Sequence, residues 1–305
     1  QLVIKNKFRI PIYMPLVRLQ KFLSSAGYCS RRQGEVHILE GNVRVNGQVV
    51  TQLGTKVDPD MDTVEIHGQL LTKKQSQIYI ALNKPRSYVT TCNQKNEKIV
   101  VDLVDIPERI YPVGRLDKES TGLLLLTNDG YLHHHLLHPS FDHEKEYMVT
   151  VAAPISDSAL TKMEKGITIL GEKTRPAVVK RFSSKRFLIQ LKEGRNRQIR
   201  RMVKKTGNRV TALKRIRVAN IKLGTLPEGA WRHLTEKEIE QLRHRLDGFD
   251  RAELLAGGDG FPRLGEFEEH DIAQLSLCVV GDSDDDDNVV LTQDLWCCPD
   301  PGSEI

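Results

Sequence analysis

Long apolar runs are missing from this chain. No stretch approaches the ~20 apolar residues that a membrane-spanning helix needs, so no membrane partner is expected. Cysteine is scarce: the 305 residues hold 5, at Cys29, Cys92, Cys278, Cys297 and Cys298. None forms a Cys-x-x-Cys pair and no zinc spacing appears. An odd cysteine count without a recognisable secretory signal fits a reducing cytosol, so a cytoplasmic location is expected. Phosphate-binding loops and metal-ligand motifs are absent too, and neither cofactor nor metal is expected. His133, His134, His135 and His138 place two histidines four apart, but the zincin pattern needs a glutamate between them, and none is there. A solvent- or RNA-facing helix is expected instead.

What is present is charge, unevenly spread. The net charge of +5 combines 45 Lys+Arg with 40 Asp+Glu. Residues 247–305 alone carry a net −14, which leaves +19 on the rest. A body that basic suits a polyanionic partner, because each Lys or Arg near a phosphate releases condensed counterions. The acidic segment contains Gly257-Gly258, the block Asp284-Asp285-Asp286-Asp287 and short apolar pieces such as Leu275 to Val280. Such composition buries little core. It is expected to be a largely disordered, solvated appendage rather than an autoinhibitory RNA mimic.

The chain is long enough for two domains. At its start, residues 1–17 read as an extension. Gln1 to Tyr13 mix Lys5, Lys7 and Arg9 with apolar residues, and Met14, the expected native start, stands just before the first convincing helix. In the first module, residues 18–71, Leu19, Phe22, Leu23 and Ala26 share a helical face that Gly27 ends. Ser30 suits the N-cap of a second helix that would turn Val36 and Leu39 inward and stop at Gly41. Val43 and Val45 alternate with polar residues before the hairpin signal Asn46-Gly47, and Thr63 to Ile66 reads as another strand. Residues 72–77 are polar and read as a linker. In the second module, residues 78–246, strand-like stretches lie at 78–82, 122–126, 147–151, 177–179 and 187–191. Helical ones lie near 131–138, 156–166, 196–206 and 236–245. This interleaving predicts an α+β domain with a mostly antiparallel sheet.

The run from Tyr111 to Gly130 contains Arg115-Leu116-Asp117, then Gly122 and an apolar stretch closed by Asn128-Asp129-Gly130. It reads as a polar turn leading into a buried strand. A carboxylate there could serve as a nucleophile. On chemistry alone, an Asp that caps the turn and pairs with Arg115 is the plainer reading. Farther on stand His143-Glu144-Lys145-Glu146-Tyr147-Met148-Val149 and Glu193-Gly194-Arg195-Asn196-Arg197-Gln198-Ile199-Arg200-Arg201-Met202. Ile199, Met202 and Val203 give the second of these a helical apolar face, with Asn196 as the expected cap.

These three blocks, in this order, resemble the motifs of the RsuA/RluB-type pseudouridine synthases. The details look closest to the RluF branch, which acts on 23S ribosomal RNA. The resemblance implies that Asp117 is the catalytic carboxylate, that Tyr147 packs on the target base, and that Arg200 pairs with Asp117. Arg115, Arg195, Arg197 and Arg201 are then candidates for phosphate contact. Residues 18–71 resemble an S4-type RNA-binding domain through Arg-Leu-x-Lys-Phe-Leu, Cys-Ser-Arg-Arg and Gly-Asn-Val-x-Val-Asn-Gly. There Arg18, Lys21, Arg31 and Arg32 would meet RNA.

The implied architecture is an S4-like αα-β domain followed by a pseudouridine synthase domain. The implied reaction breaks the C1′–N1 bond of a uridine, rotates the uracil and rejoins it through C5. Whether Asp117 attacks C1′ or removes a sugar proton stays open. The expected partner is 23S rRNA or its precursor, with tRNA as a second substrate class, and the expected state is a monomer. The rival reading is a non-catalytic ribosome-binding or assembly protein with the same fold. Nothing in the residues selects one uridine.

Overall fold

The computed structural model describes residues 16–71, 76–94, 96–137 and 143–245. The expectations for residues 1–15, most of the linker, His138 and the acidic segment fall outside these. The described residues form two compact units that divide between residues 73 and 74.

The first unit runs through β1 (Val17–Arg18), α1 (Leu19–Ser25), α2 (Arg31–Leu39), β2 (Val43–Val45), β3 (Gln48–Val49), β4 (Lys56–Val57), β5 (Val64–Ile66) and β6 (Gln69–Leu70). α1 buries Leu19, Phe22 and Leu23, and Gly27, at φ +80°, turns the chain out of it. Ser30 opens α2 with a capping box: its hydroxyl accepts from the Gln33 N–H, and the Gln33 side chain accepts from the Ser30 N–H. The inward face of α2 differs from expectation. Val36 and Leu39 are 50% and 60% exposed, while Gly34 and Ile38 are buried. The helices touch at Gly34, where a Cβ would lie 3.3 Å from Leu23 Cδ1. That contact at a residue without a side chain sets the phase of α2 and turns Val36 and Leu39 outward. The β2–β3 hairpin turns through Asn46 and Gly47, both left-handed at φ 51° and 78°. Arg18, Lys21, Arg31 and Arg32 are all exposed.

The second unit contains β7 (Tyr79–Lys84), a 3-10 turn (Val100–Leu103), β8 (Tyr111–Val113), β9 (Thr121–Thr127), α3 (Gly130–Leu137), β10 (Lys145–Val151), α4 (Asp157–Glu164), β11 (Thr168–Ile169) and β12 (Glu172–Lys173). It continues through β13 (Val178–Ser183), β14 (Arg186–Leu191), α5 (Gln198–Lys205), β15 (Val210–Val218), β16 (Ile221–Lys222) and β17 (Trp231–His233). A last helix, α6, spans residues 236–245. Nine strands make one sheet in the order β13-β14-β10-β15-β9-β7-β17, with β16 on β15 and β8 on β9. The pairing is antiparallel except between β15 and β9. The mostly antiparallel sheet was expected; β8, β15, β16 and β17 were not.

Strand alternation divides the core. On β9, Leu123 and Leu125 pack with Leu132, Leu136 and Leu242 from α3 and α6. Leu124 and Leu126 point the other way, with Ile80, Leu82, Leu116 and Val100. Farther along the sheet, Val149, Phe187, Ile189 and Leu213 pack with Met163 of α4 and with Ile199, Met202 and Val203 of α5. Tyr147 touches both of these last two clusters and so sits between them.

The parallel pairing demands close backbone approach. Gly122 has φ +102°, and a Cβ there would lie 2.2 Å from the Arg215 carbonyl oxygen and 2.7 Å from its nitrogen. Gly122→Ala should therefore cost about 3 kcal/mol or more. Gly171 has φ +85° but open space around it, so Gly171→Ala should cost only about 1–2 kcal/mol. Urea unfolding of both variants checks this; equal losses would show that crowding against Arg215 is not the constraint.

Candidate active site

Asp117 lies in the connection from β8 to β9, and that connection is fastened along its length. Leu116 is buried among apolar side chains, and its backbone is clamped by Thr90, whose hydroxyl donates to the Leu116 carbonyl at 2.7 Å. The Ser87 N–H donates to the Lys118 carbonyl at 2.8 Å, and the Ser120 N–H closes a turn onto the Asp117 carbonyl at 3.0 Å. From beneath, the fully buried Lys84 sends its ammonium to the carbonyls of Ser120 and Pro85, each at 2.9 Å. Lys118 points away, 2.6 Å from Glu97. The loop therefore presents Asp117 from a pre-set backbone, which is what a reacting group needs.

Two arginines of the α5 region face it. Arg200 Nε and Arg197 Nη1 each lie 3.5 Å from Asp117 Oδ2. Among the described residues these are the cations within ion-pair distance of Asp117; Arg115 is exposed and is not one of them. Arg200 is held by its other end, with Nη2 donating to the buried Ser120 hydroxyl at 3.0 Å. Glu119 shares both arginines, 3.3 Å from Arg197 Nη2 and 3.8 Å from Arg200 Nη2. Arg200 is only 14% exposed against 42% for Arg197, so solvent screens its charge less. The apolar face of α5 explains this placement: Ile199, Met202 and Val203 anchor the helix on the sheet and leave Arg200 at its edge.

The start of α5 departs from expectation. Its cap is Arg197, left-handed at φ 51° and without a side-chain cap hydrogen bond, not Asn196. The Asn196 side-chain oxygen accepts from Arg201 Nη2 at 3.2 Å instead. Gln198 fastens the approach, with its amide oxygen accepting from the Arg195 N–H and its amide nitrogen donating to Glu193. Arg195 is occupied by Glu193, Glu172 and the Lys173 carbonyl. Of the proposed RNA contacts in this unit, Arg115 and Arg197 are exposed, while Arg195 and Arg201 are half-buried.

Tyr147 lies on β10 opposite Arg215 of β15, with Val149 and Val151 buried on its own face. Three groups at this site escaped the sequence. Lys84 and Arg215 are charged residues inside strands, and charge is ordinarily a surface signal. Glu119 was passed over beside Asp117. The Asn-Lys-Pro step at the end of an apolar strand could have drawn attention to Lys84. Among the described residues no group of side chains is arranged to hold a metal ion.

Comparison with known proteins gives the family. Residues 78–205 match the family model for RNA pseudouridylate synthase, and residues 17–64 match that for the S4 domain. The chain is 43% identical over 228 residues to the dual-specificity RNA pseudouridine synthase RluF of Escherichia coli O6:H1, covering 74% of this chain and 78% of that protein. It is 42% identical over 238 residues to the ribosomal large subunit pseudouridine synthase B of Bacillus subtilis (strain 168), covering 75% of this chain and 97% of that protein. A crystal structure of a pseudouridylate synthase superposes with a TM-score of 0.56 at 32% identity, over 74% of this chain and 99% of the other. The chain belongs to the RNA pseudouridine synthase family, with an S4 domain ahead of the synthase domain. It is accordingly an isomerase that acts on RNA.

Lys84 provides a test of the support beneath Asp117. Burial pushes its amine down to about 8 from 10.5, against the pull of Asp117 and Glu228. Below that value folded and unfolded chains both hold the proton. Between about 8 and 10.5 the unfolded chain binds more, so this group makes stability rise with pH. Lys84→Met removes the rise. The wild-type minus variant difference in unfolding free energy should grow from pH 8 to pH 10; a flat difference would mean that the amine titrates normally.

Proposed function

We propose that this protein converts a specific uridine of large-subunit ribosomal RNA, or of its precursor, to pseudouridine, with Asp117 as the catalytic carboxylate. The observation that carries the reading is Asp117 itself, fixed by its loop and faced at 3.5 Å by Arg200, with Tyr147 on β10 of the same sheet. The name of the synthase B relative supports a large-subunit ribosomal substrate, and the dual specificity named for RluF supports a second RNA substrate, for which tRNA is the class to try. A monomer working in the cytoplasm belongs to the same proposal.

In this reading the target nucleotide leaves its stack, at a cost of roughly a few kcal/mol, and the uracil lies against the Tyr147 ring. Asp117, ionised beside two guanidinium groups, either attacks C1′ or takes a sugar proton, and the C1′–N1 bond breaks. Arg200 faces the carboxylate at 3.5 Å while the bound base excludes water. The closed site then holds the uracil while it turns and rejoins through C5. Binding and chemistry divide along the chain. Residues 18–71 anchor RNA through Arg18, Lys21, Arg31 and Arg32, and residues 78–246 perform the reaction, with Arg115, Arg195, Arg197 and Arg201 along the RNA path.

Two experiments test this division. Asp117→Asn keeps the shape and removes the charge. Single-turnover rates on ribosomal RNA transcripts should fall about 10³-fold or more while RNA affinity holds. Retained turnover would reject Asp117 as the catalytic group. Arg31→Glu with Arg32→Glu should do the opposite, weakening binding and lowering the salt dependence of affinity by about 1 per arginine, with the rate at saturating RNA unchanged. Unchanged affinity would remove these arginines from the RNA surface.

A further inference from the structure

One row of residues crosses the sheet beneath the site. The strand register pairs Ile189 with Tyr147, Tyr147 with Arg215, Arg215 with Gly122, and Gly122 with Lys84. Lys84 ends the row below the Asp117 loop. Tyr147 lies toward the α4 and α5 cluster, and Arg215 sits between them.

Arg215 is 3% exposed. Its Nε donates to the Leu123 carbonyl at 2.7 Å. Its Nη2 is buried and has no hydrogen-bond partner. No ion pair reaches it among the described residues. Lys145 adds a second cation, its amine pushed below the ordinary value first by burial and then by Arg215. A buried guanidinium with a bare donor costs stability, and such a group calls for an explanation. The other arginines of the site face carboxylates: Arg200 and Arg197 lie against Asp117 and Glu119, although Arg200 Nε too is buried without a hydrogen bond. Arg215 is the cation left over.

The position suggests what it meets. Adjacent strands lie about 4.8 Å apart, so a pyrimidine packed on the Tyr147 ring has its edge within reach of the residue on the next strand. A buried floor beside an aromatic ring suits the flat edge of a base better than a hydrated phosphate. We propose that Arg215 binds a carbonyl oxygen of the target uracil through Nη2 and stabilises the uracil anion during the reaction. The inference rests on Asp117 as the catalytic carboxylate. When the C1′–N1 bond breaks, its electron pair stays on the uracil, spread over N1, O2 and O4. The sugar is satisfied by bonding to the Asp117 carboxylate or by losing its C2′ proton to it. After rotation the electron pair at C5 forms the new bond to C1′, Asp117 is released or returns its proton, C5 gives up its hydrogen, and N1 takes a proton. Between the two bond changes the ring is an anion, and a fixed buried cation acts most strongly on it then.

The test is single-turnover kinetics with RNA carrying either uridine or 5-fluorouridine at the target, for wild type, Arg215→Met, Arg215→Lys and Asp117→Asn. Fluorine makes the departing base a weaker base and lessens its need for a cation. Arg215→Met should slow loss of the uridine nucleoside about a hundredfold or more, and loss of 5-fluorouridine by a clearly smaller factor. Arg215→Lys keeps a cation on the same floor, should lose less on uridine, and should show the same narrowing; it carries the test if Arg215→Met does not fold. Equal losses on both nucleosides would reduce Arg215 to a strand fastener and overturn the proposal, as would wild-type rates in the variants. If Asp117→Asn turned over normally, the reading of Asp117 would fall and this one with it; an inactive Asp117→Asn beside fully active Arg215 variants would overturn this one alone.

Discussion

The close parallel contact between β15 and β9 holds the synthase unit together. Its register joins Lys214 to Thr121 and Arg215 to Gly122. On one side of that seam lie β13, β14 and β10; on the other lie β7 and β17. Each half carries its own apolar cluster, one with α4 and α5, the other with Leu116 and the 3-10 turn. Asp117 comes from one half and Arg200 from the other, and they meet at 3.5 Å. Gly122 makes this possible, because a side chain there would collide with the Arg215 backbone. The distance from carboxylate to guanidinium is thus a consequence of how closely two strands can approach.

Charge follows from that geometry. Asp117 and Glu119 share Arg197 and Arg200 at 3.3–3.8 Å. Their carboxylates cover arginines that would otherwise attract any phosphate. Outside this cluster basic residues are exposed, among them Arg18, Lys21, Arg31 and Arg32 in the S4 domain and Arg115 in the loop of Asp117.

Much of this was legible in the amino-acid order. The apolar run after Gly122, the Asn46-Gly47 turn, the Ser30 cap and the alternation around Tyr147 each report local chemistry, and each formed where expected. The misreadings have physical causes. β15 reads Val-Thr-Ala-Leu-Lys-Arg-Ile-Arg-Val, and its charges hide a strand in the middle of a sheet. Lys84 and Arg215 are buried because backbone carbonyls of distant residues accept from them, and periodicity carries no trace of such partners. Gly34 contributes nothing to an apolar count, yet it sets the phase of α2. The pairing of Arg195 with Glu172, 23 residues away in sequence, leaves no trace in the pattern either.

The most direct measurement is a map of pseudouridines in ribosomal and transfer RNA from cells with and without this protein. The expected result is the loss of pseudouridine at a specific large-subunit uridine, with any tRNA site lost alongside it, and restoration when the wild-type chain is returned. An unchanged map, with every pseudouridine present in cells that lack the protein, would contradict the central claim that Asp117 and its surroundings perform the isomerisation.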